Sequence, residues 1–117
     1  MFYQYRQAKS GGMWDRNDMV DEFVVVEAFS TDDANERACA VAGLYWDGSC
    51  GENPRDCACC GDRWARFGEW DEEPDLVPSV YGTPVDGLAP ATERTRKHNV
   101  HVYWLNGEHS VGTTNEG

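Results

Sequence analysis

Cys50, Cys57, Cys59 and Cys60 crowd one stretch of the chain, and thiolates at such spacing are ligands suited to zinc. In Cys57-Ala58-Cys59-Cys60-Gly61 the outer pair has the spacing Cys-x-x-Cys-Gly. That spacing turns two sulfurs toward one metal while the glycine lets the backbone fold back beneath them. A closed site needs four ligands. Adjacent Cys59 and Cys60 ligate together only with awkward backbone geometry, so Cys50, Cys57 and Cys60 are expected with Cys59 or one of His98, His101 and His109. The zinc expected there is structural, a clip for a loop that a small core cannot hold. Redox chemistry fits less well, because the pair does not open a helix after a strand, where the helix dipole would lower a thiol pKa. Catalytic zinc would need an open position and a base, and neither His-x-Glu nor His-Glu-x-x-His occurs.

Other catalytic chemistry finds little footing. The three histidines sit in no recognised motif, and His101, between Val100 and Val102, reads as a polar position on a solvated strand face. No glycine-rich phosphate loop is present among the 12 glycines. The chain is therefore expected not to be an enzyme. Carboxylates are its second signal: eight between Trp14 and Glu36, Asp15 and Asp18 among them, face the single Arg16, and Glu69, Asp71, Glu72, Glu73 and Asp75 follow. With a net charge of −11, electrostatics disfavours nucleic acid or an anionic membrane as partner, and favours the basic channel of a nucleic-acid-binding protein, steered by charge. Trp14, Trp46 and Trp70 lie among these carboxylates as candidate interface anchors. A solvated face that keeps a small protein soluble is the plainer reading of the same charge.

The elements that position these residues point to one domain over 1–117, with an apolar fraction of 40% too high for a disordered acidic tail. Phe2 to Gln7 alternates as an edge strand. Glu22 to Phe29, with three successive valines, predicts a central strand covered on both faces. Ser30 and Asp33 start a helix that ends near Ala42, before Gly43, with Ala34, Ala38, Val41 and Ala42 along one face. Cys39 within it reads as a small buried apolar side chain. Short extended pieces are expected at Leu44 to Gly48 and Arg63 to Phe67 and a short edge strand at Val80 to Val85, with Asp86 to His98 loop-like. Val100 to Leu105 and Glu108 to Gly112 form a hairpin, joined by a two-residue type I′ turn at Asn106-Gly107. The class is α+β: a small antiparallel or mixed sheet, one main helix on one face, and a zinc-knuckle-like cysteine loop. No segment reads as a signal peptide or membrane span, and an odd count of five cysteines fits a metal site in a reducing cytoplasm better than a disulfide framework.

Several segments together resemble a family of small uncharacterised proteins encoded by tailed bacteriophages. They are Phe2-Tyr3-Gln4-Tyr5-Arg6-Gln7 with Ser10-Gly11-Gly12; Glu27-Ala28-x-Ser30-x-x-x-Ala34-Asn35-Glu36-Arg37-Ala38; and Gly43-Leu44-Tyr45-x-Asp47-Gly48 running into Arg55-Asp56-Cys57-x-Cys59-Cys60-Gly61-Asp62-Arg63-Trp64. The resemblance covers most of the chain and implies an accessory role in the cytoplasm of a bacterial host. Joined to the charge, it leads to the expectation of a protein that binds and inhibits a host defence or nucleic-acid machine, a CRISPR-associated nuclease being one such target. A virion or assembly component is the alternative. So is a small-nucleotide sponge using Gln4, Arg6, Gln7 and Ser10-Gly11-Gly12.

Overall fold

Three valines after Phe23 commit the chain to a strand, because branched Cβ atoms crowd a helix and pack well on a pleat. The computed structural model describes residues 1–7, 19–44, 64, 67–68 and 73–114. Among these residues the strands are β1 (Phe2–Arg6), β2 (Phe23–Glu27), β3 (Ser79–Val80), β4 (Thr83–Pro84), β5 (Asp86–Pro90), β6 (Val100–Tyr103) and β7 (His109–Thr113), with one α-helix, α1 (Thr31–Ala42), and a short 3-10 turn at Ala91–Glu93. Five strands form a mixed sheet in the order β1-β2-β6-β7-β5, and β3 and β4 pair separately. Among the described residues only β2 and β6 pair in parallel, with Val24 opposite His101 and Val25 opposite Val102. The expected α+β class, with a mixed sheet and one helix, is what the structure shows.

Helix α1 forms where its caps demand it. Ser30 Oγ accepts the Asp33 N–H at 3.1 Å, and Asp33 Oδ2 reaches back to the Phe29 N–H at 3.0 Å. Gly43, at φ 70°, closes the other end by donating its N–H to the Ala38 carbonyl. Ala34, Ala38 and Ala42 face inward, so the helix lies close against Tyr3, Tyr5, Val24 and Val26. The opposite face of the sheet buries Phe2, Phe23, Val25, Val100 and Val102 against Val80 and Val85. Two cores thus sandwich β2, as the valine run predicts.

Four local expectations change. The β6–β7 hairpin exists, but its register sets Tyr103 against His109, and Gly107 N–H bonds the Trp104 carbonyl at 3.0 Å. The connection is therefore three residues, Leu105 to Gly107, with Gly107 at φ 93° and Asn106 without positive φ, rather than a two-residue type I′ turn. Asp86–Pro90, expected as loop, is the edge strand β5, irregular between Asp86 and Ala89. Its exposed edge tolerates Pro90. Val80 to Val85 is a tight hairpin whose turn places both Tyr81 (φ 51°) and Gly82 (φ 80°) in the left-handed region. Of the piece expected at Arg63 to Phe67, the described Trp64 and Phe67 are buried, and neither is in a strand.

Gly112 shows how closely β5 and β7 are fitted. A Cβ there would sit 2.2 Å from Val85 Cγ1 and 3.0 Å from the Asp86 carbonyl oxygen, a backbone atom that cannot rotate away. Gly112→Ala is expected to lower unfolding free energy by about 1–3 kcal/mol in urea titration. An unchanged midpoint would contradict that packing.

Candidate functional site

The end of the sheet next to the start of α1 collects exposed apolar side chains on a tightly held backbone. Phe2 pairs on one side with Glu27 and on the other with Asp75, which it meets through two backbone hydrogen bonds of 2.8 and 2.9 Å. Two strand spacings thus separate Glu27 from Asp75, roughly 10 Å. Beyond this row the Ala28 N–H bonds the Met1 carbonyl at 3.0 Å, Phe29 follows Ala28, and Leu76 follows Asp75. Phe29 is 81% exposed and Leu76 82%, with Met1 and Val77 also exposed. An apolar residue just before an N-cap ordinarily staples onto the fourth helical residue. Here that residue is the small, buried Ala34, and Phe29 stands out into water. Pro74 and Pro78 bracket the segment, each fixing its own φ and restricting the residue before it, Glu73 and Val77.

Carboxylates rim these side chains. Asp32, Glu36 and Glu73 are exposed and Asp33 and Asp75 half-buried, and among the described residues none of the five is in an ion pair. Partial burial raises the Asp75 carboxyl above its ordinary range, so the fold holds this charge at a cost. Of the acidic residues expected to meet a partner, Glu73 and Asp75 stand at this end. Asp15, Asp18, Glu69, Asp71 and Glu72 lie outside the described residues, as do Trp14, Trp46 and Trp70. Sequence reasoning passed over Phe29 and Leu76. The available signal was a large apolar residue before an N-cap with only alanine to staple to.

The cysteine segment expected to hold zinc, Cys50, Cys57, Cys59 and Cys60, also lies outside the described residues. Among the described residues no group of three or more His, Cys, Asp or Glu could hold a metal ion. Cys39 differs from expectation: it is half-buried against the helix-side core and disulfide-bonded, not a free apolar thiol. His101 differs too. It is 1% exposed rather than solvated, with Nδ1 2.7 Å from His109 Nε2, because β6 is central and its second face is also covered. The residues proposed for a nucleotide sponge hold the fold: Gln4 Oε1 accepts the Tyr81 N–H at 2.7 Å, Arg6 donates to the Tyr81 hydroxyl at 3.1 Å, and buried Gln7 donates to the Asp21 carbonyl at 2.9 Å. Ser10-Gly11-Gly12 lies outside the described residues.

A domain of unknown function, DUF7296, matches residues 1–116. The chain belongs to this family. No curated protein and no solved structure matches it. The DUF7296 match thus spans every element described above, and among the described residues no helix is long and apolar enough to cross a membrane.

Two outcomes follow. Because the folded state raises the Asp75 pKa, ionised Asp75 opposes folding above that pKa, and the penalty fades as pH falls below the ordinary value of about 3.9. Asp75→Asn should raise the melting temperature slightly at neutral pH and leave it unchanged near pH 3, the effect staying below about 1 kcal/mol because the site is only partly buried; a lowered melting temperature at neutral pH would refute it. Thiol titration of the denatured chain should find no more than three of its five cysteines reactive before reduction and all five after, since a disulfide occupies two. Five reactive thiols without reductant would contradict the Cys39 bond.

Proposed function

We propose that this DUF7296 protein is a non-enzymatic binding module that docks its acidic, apolar-centred end on a basic protein surface. The observation that carries this reading is the pair Phe29 and Leu76, four-fifths exposed within a rim of unpaired carboxylates. Exposed apolar side chains on rigid backbone make interface anchors, since little entropy remains to be lost on docking. Carboxylates without cations of their own steer a basic partner and repel nucleic acid. The partner proposed is a bacterial nucleic-acid-handling protein, and the role inhibition during phage infection; the resemblance to small phage proteins supports the setting, and the charge supports the target class. A structural zinc on those cysteines of the 50–60 segment that the Cys39 disulfide leaves as thiols, with a histidine completing the set, belongs to the same reading, and metal analysis finding none in the purified protein would remove that part.

The test is capture from bacterial lysate with the full chain, followed by affinity measurement on the purified partner. Phe29→Ser with Leu76→Ser should weaken binding at least about tenfold while leaving the melting temperature unchanged. Asp32→Asn with Glu73→Gln should slow association and flatten its salt dependence. Affinity indifferent to both pairs would overturn this site. Salt-insensitive recovery of phage particle proteins alone would instead favour an assembly component.

A further inference from the structure

Between α1 and the β6–β7 hairpin lies a cleft of about 320 Å3, lined by neither Phe29 nor Leu76. Val26, Tyr103 and His109 stand side by side across β2, β6 and β7, since Val26 is opposite Tyr103 and Tyr103 opposite His109. This row floors the cleft, Arg37 and Val41, one turn apart on α1, wall it, and Met19 lines it too. Trp104 and Glu108 border it from hairpin positions whose side chains belong to the other face of the sheet, where the Trp104 ring packs on Phe2. That leaves Arg37 as the permanently charged side chain of the cleft. One of its guanidinium nitrogens donates to the Leu105 carbonyl at 3.1 Å, which fixes the side chain and leaves further N–H groups of its fork for another acceptor. Glu27 holds the N–H of the same Leu105 without pairing with Arg37, which is half-buried and in no ion pair among the described residues. A partly buried cation beside apolar surface is costly until an anion meets it. The rings are already engaged: the Tyr103 hydroxyl donates to the Met19 carbonyl, and His109 Nε2 lies 2.7 Å from His101 Nδ1. Burial pushes the Tyr103 phenol up, so it stays neutral and does not repel an anion.

One held cation in an apolar and aromatic cleft of this size suits a small ligand with one negative charge and an apolar body. A carboxylate matches the planar fork of a guanidinium. A polyanion such as a nucleotide is repelled more strongly than a monoanion by a chain of net charge −11. We propose that the cleft binds a small apolar monocarboxylate, its carboxylate on Arg37 and its hydrocarbon body against Val26, Val41 and Tyr103. This site is separate from the protein-docking end and stands or falls on its own.

Isothermal titration of the full chain tests it with octanoate, 3-phenylpropionate, phenethylamine and AMP as probes. Saturable binding of octanoate or 3-phenylpropionate is expected, with phenethylamine and AMP at least about tenfold weaker. Arg37→Gln should weaken the bound acid at least about tenfold, with the melting temperature followed alongside because the substitution also touches the Leu105 clamp. Val41 is part-exposed, so a charge can be placed there without opening the core. Val41→Glu should weaken the acid at least about tenfold, while Val41→Lys should leave it as tight or tighter, a difference that lost packing alone does not produce. No saturable binding of either acid at millimolar concentration, phenethylamine or AMP bound as tightly, an affinity that Arg37→Gln leaves untouched in a folded chain, or equal effects of Val41→Glu and Val41→Lys would overturn the proposal.

Discussion

Phe23, Val24, Val25 and Val26 are all shut off from water, and a strand buried on both faces requires a layer on each. Each such side chain contributes roughly 1.5–3 kcal/mol of burial. The alanine face of α1 covers Val24 and Val26, and Val80 and Val85 help cover Phe23 and Val25. The parallel partner β6 follows the same rule, alternating Val100 and Val102 toward one core with His101 and Tyr103 toward the other side. A small chain thereby spends much of its apolar inventory around one short strand.

What the sheet does not hold, polar side chains hold. Asn35 Oδ1 accepts both the Tyr5 hydroxyl and the Phe67 N–H at 2.8 Å, while its Nδ2 donates to the Phe67 carbonyl at 3.1 Å, tying an irregular segment to α1. Leu105 is gripped similarly: Glu27 Oε1 accepts its N–H at 2.9 Å and Arg37 donates to its carbonyl. Asn99 does the same for Thr114 through bonds of 2.9 and 3.1 Å. Each clamp satisfies backbone groups that no strand partner reaches. Asn35 and Arg37 both make their clamps from α1, so the helix that covers one face of the sheet also ties down the segments beside it.

Local signals were legible where one residue type answers one backbone demand. Ser30, Asp33 and Gly43 mark both ends of α1, and the valine run marks β2 as central. Legibility failed where tertiary contacts override local preference. Gly87 and Pro90 disguise β5, which exists because β7 offers a free edge. Tyr81 adopts a left-handed conformation that favours glycine because Gln4, Arg6 and an edge-to-face contact with Phe23 hold it there. The acidity of the candidate site was plain in Glu73 and Asp75, but its apolar centre was not, since exposure of Phe29 and Leu76 depends on what fails to pack against them. The burial of His101 likewise follows from sheet order, which no alternation pattern specifies.

The central claim is that the end of the sheet carrying Phe29 and Leu76, rimmed by carboxylates, is where this DUF7296 protein meets its partner. Amide hydrogen exchange of the full chain, alone and saturated with the purified partner, reads that surface directly. The account predicts slowed exchange at residues 28–33 and 75–77, with β5 and the 94–97 segment unchanged. Slowed exchange confined to β5 and 94–97, with 28–33 and 75–77 exchanging as in the free protein, would contradict it.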